Sequence, residues 1–224
     1  MIRTRDAGRH WEDLSDAILQ KVRFFDDKRG YGAEVTMFLR TDDGGRHWTE
    51  AQIPHLRFIN RMVFLTPDVG WIACADGKDV WVFRTLDGGH DWKESRIGAR
   101  KACQMFEIFF LDRNRGWFVS RHLTDPDTAL FCTVDGGRNW APERNWSFHA
   151  GRWSEVVRFI SEKNGFVFGN DGASRIFYTT DEGAHWQMQT LPQFVHDCQV
   201  FEGDLLCSAE EPRSGLLILT LHPK

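Results

Sequence analysis

Hydrophobic positions along the chain come in short runs separated by polar turns. The segments KVRFF-DDKRG-YGAEV, RMVFL-TPDVG-WIACA and VVRFI-SEKNG-FVFGN each read as an apolar run, a turn and a second apolar run. Short runs rich in β-branched and aromatic residues, bounded by Asp, Asn, Pro and Gly, are typical of antiparallel strands. The pattern predicts an all-β protein, in which residues 12–19 are the one weak candidate for a helix.

The hairpins share a second signal, a Phe six residues before a Gly that precedes an aromatic residue. The Phe residues are Phe24, Phe64, Phe110 and Phe159, and the Gly–aromatic pairs are Gly30–Tyr31, Gly70–Trp71, Gly116–Trp117 and Gly165–Phe166. A third apolar run follows, as in VWVFRT, ALFCTV and RIFYTT. Each unit therefore contains at least three strands before the next turn.

One motif, Thr-x-Asp-x-Gly-x-x-Trp, occurs five times with unvarying internal spacing. The copies are Thr4-Asp6-Gly8-Trp11, Thr41-Asp43-Gly45-Trp48, Thr85-Asp87-Gly89-Trp92, Thr133-Asp135-Gly137-Trp140 and Thr179-Asp181-Gly183-Trp186. Their Asp residues are 37, 44, 48 and 46 residues apart. A fixed motif with variable steps indicates one repeated unit connected by variable loops.

Four strands in about 45 residues is the size of one β-propeller blade. We expect a single domain over residues 1–224, with blades at 18–54, 56–98, 102–146 and 152–191. The two ends, 192–224 and 1–14, together hold 47 residues, enough for a fifth blade closed by both termini. One of their two third-strand segments would then be redundant, and a fragment of a larger ring is the alternative.

The motif has a structural rationale. The Asp carboxylate can accept backbone N–H groups of its own turn, and the Gly can adopt a positive φ. The Thr hydroxyl adds a local hydrogen bond, and the Trp ring can be buried against neighbouring strands. Because five identical copies cannot all form one active site, we interpret the motif residues as turn-stabilising rather than catalytic or calcium-binding.

The motif resembles the Asp-box, or BNR repeat, of sialidases, sortilin-type receptors, xyloglucanases and photosystem II assembly/stability factors. The likeness covers nearly the whole chain and is nearest to the photosystem II assembly factor type. In those proteins the box joins the third and fourth strands, away from the usual binding face. The resemblance thus implies that the boxes are not the functional site. The chain differs in having no visible export leader and in being shorter than a seven-bladed ring.

Composition narrows the function. Lys and Arg number 28 against 32 Asp and Glu, a net charge of −4 that argues against nucleic-acid binding. The five cysteines lack a C-x-x-C pair, and reduced thiols are the simplest interpretation, although Cys198 and Cys207 flank a hairpin and could meet. No leader or membrane-spanning apolar stretch is visible, so we expect a cytoplasmic protein without membrane insertion.

Propellers usually bind partners through the loops that precede the first strand of each blade. These loops are rich in basic, His and aromatic residues, which would suit an acidic peptide, a phosphate or a carboxylate. The candidate partner-binding residues are His55, Arg57, Arg61, Arg100, Lys101, His149, Arg152, Trp153 and His196. The alternative is that these loops are polar only because they are exposed. His55, His149 and His196 are unequally spaced from their strands, so we predict no metal.

No catalytic motif is visible. The Phe-Arg-Ile-Pro segment of sialidases is missing, and the two tyrosines, Tyr31 and Tyr178, lie beside strands rather than at a central site. We predict no catalytic residues and no cofactor. The sequence favours a non-catalytic scaffold that binds a protein or peptide through its loop face. A sialidase-like or other carbohydrate-active propeller is the alternative, so carbohydrate stays open as a ligand.

Overall fold

The structure is a computed structural model of the chain. It describes residues 1–75, 79–98, 103–122, 128–143, 146, 153–170, 174–191, 194–201, 204–210 and 215–219. The chain divides into two compact units, which are considered separately. Unit 1 comprises Met1–Asp76 and Trp81–Arg96, and unit 2 comprises Gly77–Val80 and Ile97–Lys224.

Unit 1 opens with a two-stranded sheet and continues with sheets of four strands. The first sheet pairs β1 (Ile2–Arg3) with β2 (Glu12–Asp13). The second contains β3 (Lys21–Phe24), β4 (Gly30–Ala33), β5 (Phe38–Thr41) and β6 (Thr49–Ala51). The third contains β7 (Arg61–Phe64), β8 (Gly70–Ala75), β9 (Asp79–Thr85) and β10 (Lys93–Gly98). Within each of these sheets, every strand is hydrogen-bonded to the next one along the chain.

Unit 2 repeats this arrangement. Its sheets comprise β11 (Cys103–Phe110), β12 (Gly116–His122), β13 (Thr128–Thr133) and β14 (Ala141–Pro142), then β15 (Trp153–Phe159), β16 (Gly165–Asn170), β17 (Ser174–Thr179) and β18 (Gln187–Thr190). A three-stranded sheet follows with β19 (Phe194–Phe201), β20 (Asp204–Glu210) and β21 (Gly215–Leu219). Each of the four complete sheets lies within one unit defined by the sequence repeats.

The terminal segments form separate sheets, β1–β2 and β19–β21. The fifth blade closed by both termini therefore stays a prediction. Residues 12–19, the weak helical candidate, contribute the short strand β2 and then continue without regular structure. The described residues contain no helix, in agreement with the all-β prediction.

Burial differs sharply between second and fourth strands of the sheets. The second strand β8 is buried almost throughout because it has neighbours on both edges and both faces, which explains its continuous apolar sequence GWIACA. The fourth strand β18, with sequence QMQT, is exposed throughout. Polar residues are tolerated there because only one edge of the strand is paired. The fourth strand β18 is thus less hydrophobic than the second strand β8.

Aromatic side chains form the cores. In unit 1, Tyr31, Phe38, Phe64 and Phe83 are buried together, and the Tyr31 and Phe64 rings stack at 4.2 Å. In unit 2, the Trp117 ring stacks on Phe159 at 3.5 Å, within a cluster that also includes Val119, Leu130 and Phe177. In both units an aromatic residue from the second strand of one sheet covers the Phe of the next sheet's first strand.

The expectation of reduced thiols is wrong for one cysteine. Cys207 in β20 is disulfide-bonded, and Cys198 is its Cα partner in the β19–β20 ladder. The hairpin register provides the reason, because it places the two backbone positions directly opposite each other. Cys74 and Cys132 are free.

Candidate partner-binding site

The five boxes share one hydrogen-bonding scheme. In each copy the Thr hydroxyl donates to the Asp Oδ1 over 2.8–2.9 Å. The same Thr oxygen accepts the backbone N–H of the motif Gly over 2.8–3.0 Å. Each motif Gly has a positive φ of 83–89°. The Thr and Asp side chains are therefore engaged within their own turn.

The Asp carboxylate also binds the far side of the turn. Oδ1 of Asp43 accepts the backbone N–H of His47 over 3.0 Å, and Oδ1 of Asp135 accepts that of Asn139 over 3.0 Å. These backbone hydrogen bonds, followed by contact with the imidazole, hold the pKa of Asp43 well below its usual range. A carboxylate stabilised in this way is a weak proton acceptor, which favours the structural role of the boxes.

The Trp residues differ although their motifs are identical. Trp186 is buried, and Trp92 packs edge-on against Phe38 at 5.1 Å and Phe64 at 6.3 Å. Trp11 is 58% exposed, contrary to the expectation that the Trp rings are buried. The reason is that Trp92 rests on the first strand of its own sheet, whereas the β1–β2 sheet has no such strand.

In the four-stranded sheets of unit 1, each box lies at the same end of the strands as a turn between a first and a second strand. Backbone hydrogen bonds join the two turns: Gly44 N–H donates to Lys28 O over 2.8 Å, and Gly88 N–H donates to Asp68 O over 2.9 Å. Connections that lead from one sheet to the next leave from the opposite ends of the strands. The connection at residues 52–60 is thus at the end of the sheets away from the boxes, which we call the loop edge.

One of these connections leads from β6 to β7 through residues 52–61, which we call the loop segment. Ile59 N–H donates to Val35 O over 2.8 Å, and Asn60 N–H donates to Ala73 O over 3.0 Å. The Asn60 side chain accepts the backbone N–H of Ala75 over 2.8 Å. These bonds connect the loop segment to sheets on both sides of it, so its backbone is preorganised.

A small polar and aromatic cluster lies beside the loop segment. His55 has a positive φ of 64°, which is uncommon for a residue with a side chain. Its Nδ1 is 3.0 Å from Glu94 Oε2, and its ring is 6.5 Å from that of Trp81, above which Arg96 lies at 5.5 Å. His55 also lines a 350 Å³ cleft with Pro54, Phe83, Trp92, Lys93 and Glu94.

Two cationic residues, Lys21 and Arg61, begin the first strands β3 and β7 and interact electrostatically. Lys21 Nζ donates to Ile59 O over 3.2 Å at the end of the loop segment. Burial lowers the pKa of Lys21, and repulsion from Arg61 lowers it further. An anion placed between these two side chains would relieve that repulsion.

The structure places only part of the predicted set. His55 and Arg57 are exposed in the loop segment, and Arg61, its last residue, begins β7. Trp153 begins β15 and His196 lies in β19, which fixes their backbone positions alone. The other predicted residues lie outside the described part of the chain: Arg100, Lys101, His149 and Arg152.

Sequence reasoning missed two residues of this region. Phe58, beside Arg57, is an exposed aromatic residue, and Lys21 reaches the loop segment from β3. The position of Phe58 within the predicted loop could have revealed it. No sequence signal connects Lys21 with residue 59, because that contact depends on the register of separate sheets.

Unit 2 has its own ion pair on first strands. Arg158 Nη1 in β15 is 3.8 Å from Glu107 Oε2 in β11, and both side chains are largely buried. The Arg158 guanidinium also lies over the Phe109 ring at 5.8 Å.

The hydroxyls of the two tyrosines, Tyr31 and Tyr178, are engaged in hydrogen bonds. The Tyr31 hydroxyl donates to the backbone oxygens of Pro67 and Gly88, and burial raises its pKa. The Tyr178 hydroxyl donates to Gln187 Oε1 over 2.6 Å on the outer strands. Both hydroxyls therefore donate to backbone or amide oxygens within the sheets and turns.

Within the described ranges, no group of three or more His, Cys, Asp or Glu side chains could hold a metal ion. The same residues form no helix that is long and apolar enough to cross a membrane.

Five boxes, four of which lie on antiparallel four-stranded sheets, define a β-propeller of the BNR type. The family model of the photosynthesis system II assembly factor YCF48 matches residues 5–141, more than half of the chain. The chain belongs to this family. No curated protein sequence gives a significant match.

Solved propellers resemble the chain in fold. A structure of YCF48 bound to D1 peptide has 19% sequence identity and a TM-score of 0.56, covering 89% of this chain and 66% of that protein. An ancestral GH74 enzyme has 12% identity and a TM-score of 0.68, covering 96% and 32%. The GH74 enzyme of Niastella koreensis has 14% identity and a TM-score of 0.63, covering 94% and 38%. The chain therefore spans just under two thirds of the first structure and about a third of the GH74 enzymes.

Proposed function

We propose that this chain is a non-catalytic assembly scaffold that binds a protein or peptide partner through its loop edge. The observation that carries the proposal is the preorganised loop segment, which presents His55, Arg57 and Phe58 outward. A rigid loop with exposed cationic and aromatic side chains binds with little loss of conformational entropy. The family match supports the assembly role.

The chemistry of the loop edge favours an acidic ligand. Lys21 approaches the end of the loop segment, where burial, followed by repulsion from Arg61, lowers its pKa. A carboxylate of a partner peptide would form charge-assisted hydrogen bonds with the exposed Arg57. Because the related YCF48 structure contains a D1 peptide, a D1 peptide is the first ligand to try.

The experiment compares two triple charge reversals. Arg57, Arg100 and Arg152 are changed to Glu on the loop edge, and Arg9, Arg46 and Arg138 are changed to Glu beside the boxes. Both variants alter the net charge equally, so a difference between them reports on location. Affinity for a D1 peptide is measured by calorimetry, with a xyloglucan oligosaccharide as the second probe.

We expect the loop-edge variant to bind the D1 peptide at least about tenfold more weakly, a loss of about 1.4 kcal/mol. The box-edge variant should bind as the parent chain does, and circular dichroism should show both variants folded. Equal weakening in both would indicate a general charge effect and contradict the loop-edge proposal. Binding of the oligosaccharide alone would replace the scaffold with a carbohydrate-binding propeller.

A further inference from the structure

The 350 Å³ cleft beside the loop segment is formed within unit 1 alone. The loop segment connects the sheet β3–β6 to the sheet β7–β10, each of which has four paired strands. A cleft of this volume is typical of a site for a small ligand or for one large side chain. Its lining comprises Pro54 and His55 of the loop segment, Phe83 of β9, and Trp92, Lys93 and Glu94 in and beside β10.

Aromatic rings form the base of the cleft. Phe83 is buried in the core of unit 1, and the partly buried Trp92 packs edge-on against Phe38 at 5.1 Å and Phe64 at 6.3 Å. Because these core contacts hold both rings in place, the base is preorganised and can bind a ligand at little cost in side-chain entropy. An aromatic group placed on these rings would remove apolar surface from water.

The rim of the cleft has balanced charges. Lys93 and Glu94 are exposed neighbours of opposite charge. His55 Nδ1 lies 3.0 Å from Glu94 Oε2 and thereby orients the carboxylate. A carboxylate ligand would be repelled by Glu94, and an ammonium ligand would be repelled by Lys93. The rim therefore favours a neutral ligand that can both donate and accept hydrogen bonds.

An unusual turn holds His55 in the rim. Leu56 N–H donates to Ile53 O over 3.2 Å, which closes a turn with Pro54 and His55 at its centre. Pro is favoured at the first central position, but the φ of 64° at the second is typical of Gly or Asn. Every other positive-φ residue in the described part of the chain belongs to a box turn. An isolated outlier of this kind, with its side chain on a cleft, indicates a functional role for that side chain.

We propose that the cleft binds the side chain of a tyrosine in the partner segment that docks on the loop edge. The tyrosine ring lies on Phe83 and Trp92, and its hydroxyl donates to Glu94 and accepts from Lys93. A tyrosine is neutral, satisfies both hydrogen-bonding directions and is a common anchor at interfaces. The proposal rests on the proposed function, because the peptide partner supplies the tyrosine.

The cleft adjoins the exposed cation of the loop segment. His55 and Arg57 are two residues apart, so their Cα atoms are separated by no more than about 7 Å. A partner segment that places a carboxylate on Arg57 therefore reaches the cleft with a side chain one or two residues away. We expect an acidic residue and a tyrosine close together in the partner's sequence.

The test isolates the cleft from the acidic contact. The probe is N-acetyl-tyrosinamide, which is neutral and has no carboxylate for Arg57. Its binding to the full chain is followed by nuclear magnetic resonance, through the indole N–H of Trp92 and the backbone N–H of Glu94. At the usual affinity per atom of small ligands, we expect a dissociation constant on the order of 1 mM. N-acetyl-phenylalaninamide, which lacks the hydroxyl, should bind several-fold more weakly.

Two variants distinguish a binding role of the rim from a structural one. His55→Gly removes the imidazole but suits the positive φ, so the protein should stay folded while affinity for the probe falls about fivefold. Glu94→Ala removes the hydrogen-bond acceptor and should lower affinity by a similar factor. The control Glu50→Ala removes an exposed carboxylate of β6 that does not line the cleft, and should change nothing. Thermal unfolding checks that each variant is folded.

A further variant, Arg57→Glu, separates this proposal from the proposed function, because it should weaken binding of the D1 peptide and leave the neutral probe unaffected. Probe binding without D1 peptide binding would support the cleft as an aromatic site and contradict the proposed function. The absence of any shift at about 10 mM probe, tenfold above the expected constant, would overturn the cleft proposal even if the D1 peptide binds.

Two other results would also overturn the proposal. Probe affinity that ignores both His55→Gly and Glu94→Ala would show that the probe binds elsewhere. Tighter binding of methyl glucoside than of the probe, lost in the same two variants, would assign the cleft to a saccharide instead of a tyrosine.

Discussion

The box turns and the loop segment of unit 1 lie at opposite edges of the sheets and differ in almost every respect. The boxes repeat the same internal hydrogen bonds five times and use their polar side chains within the turn. The loop segment occurs once, is fixed through its backbone, and leaves His55 and Arg57 exposed. Repetition thus accompanies turns whose polar side chains are already engaged, and we propose the loop segment, where Arg57 is exposed, as the binding surface.

The largest loss of stability is expected on replacing a box Trp. Trp92→Ala removes a ring that packs against Phe38 and Phe64, and should reduce the free energy of unfolding by about 3 kcal/mol. Urea titration measures the loss. The matched variant Trp11→Ala, at an exposed ring, should cost less than about 1 kcal/mol. Equal losses would show that box tryptophans act locally rather than through the sheet beneath them.

The next largest effect is expected at the box hydroxyl. Thr85→Val removes the acceptor of the Gly89 N–H in a buried site, and should cost about 2 kcal/mol. Thr4→Val removes the same bond where Gly8 is exposed, so water can replace it and the cost should be smaller. Chemical denaturation of the two variants provides the measurement, and a larger loss for Thr4→Val would contradict the account.

A smaller effect separates backbone strain from crowding. Gly89 has a φ of +83°, and an added Cβ would lie 2.8 Å from Phe38 Cε1. Gly8 has a similar φ of +89°, but its nearest neighbour would be Trp11 Cζ2 at 3.9 Å. Gly8→Ala should cost about 1–2 kcal/mol from the backbone alone, and Gly89→Ala more. Identical thermal unfolding of the two variants would argue that crowding is unimportant.

The loop segment should behave in the opposite way. Arg57→Glu changes an exposed side chain and should alter stability by no more than about 0.5 kcal/mol. The same variant should lower affinity for the D1 peptide several-fold, whereas Thr85→Val should leave the affinity of the folded protein unchanged. Unfolding and calorimetry on both variants test this crossed pattern. A binding defect confined to the box variant would reverse the assignment of the two edges.

The smallest expected effect is on the stability of the protein at acidic pH. Backbone N–H groups of Arg29 and Lys28, followed by the Arg29 side chain, lower the pKa of Asp26 from 3.8 to about 2. Because the folded pKa lies below the unfolded one, this stabilisation is present above pH 3.8 and is lost as the pH falls towards 2. Asp26→Asn should reduce the pH dependence of the free energy of unfolding between pH 3.8 and about 2. An unchanged pH dependence in this range would contradict the assigned role of Asp26.

Sequence repeats predicted the four complete sheets because their signals are local. The spacing from Phe64 to Gly70, and from Thr85 to Trp92, describes strands and turns that lie next to each other in the chain. The exposure of Trp11 could not be predicted, since its motif is identical to the others and only the absent first strand makes the difference. Local patterns contain no information about neighbours that are missing.

The candidate site was predicted less completely than the fold. His55 and Arg57 lie in the loop segment as the loop pattern indicated, but Arg61 begins a strand and Lys21 approaches from another sheet. The hairpin pattern did indicate that Cys198 and Cys207 could meet, and the β19–β20 register places their backbones opposite each other. Contacts between segments distant in sequence follow from register, which unrepeated residues do not reveal.

Hydrogen–deuterium exchange of the chain with and without the D1 peptide tests the central claim most directly. The account predicts slower exchange on binding in residues 52–61, with no change in the box turns at residues 42–47 and 86–91. Protection of those box turns, with the loop segment unaffected, would show that the repeated edge is the binding surface and would contradict the account.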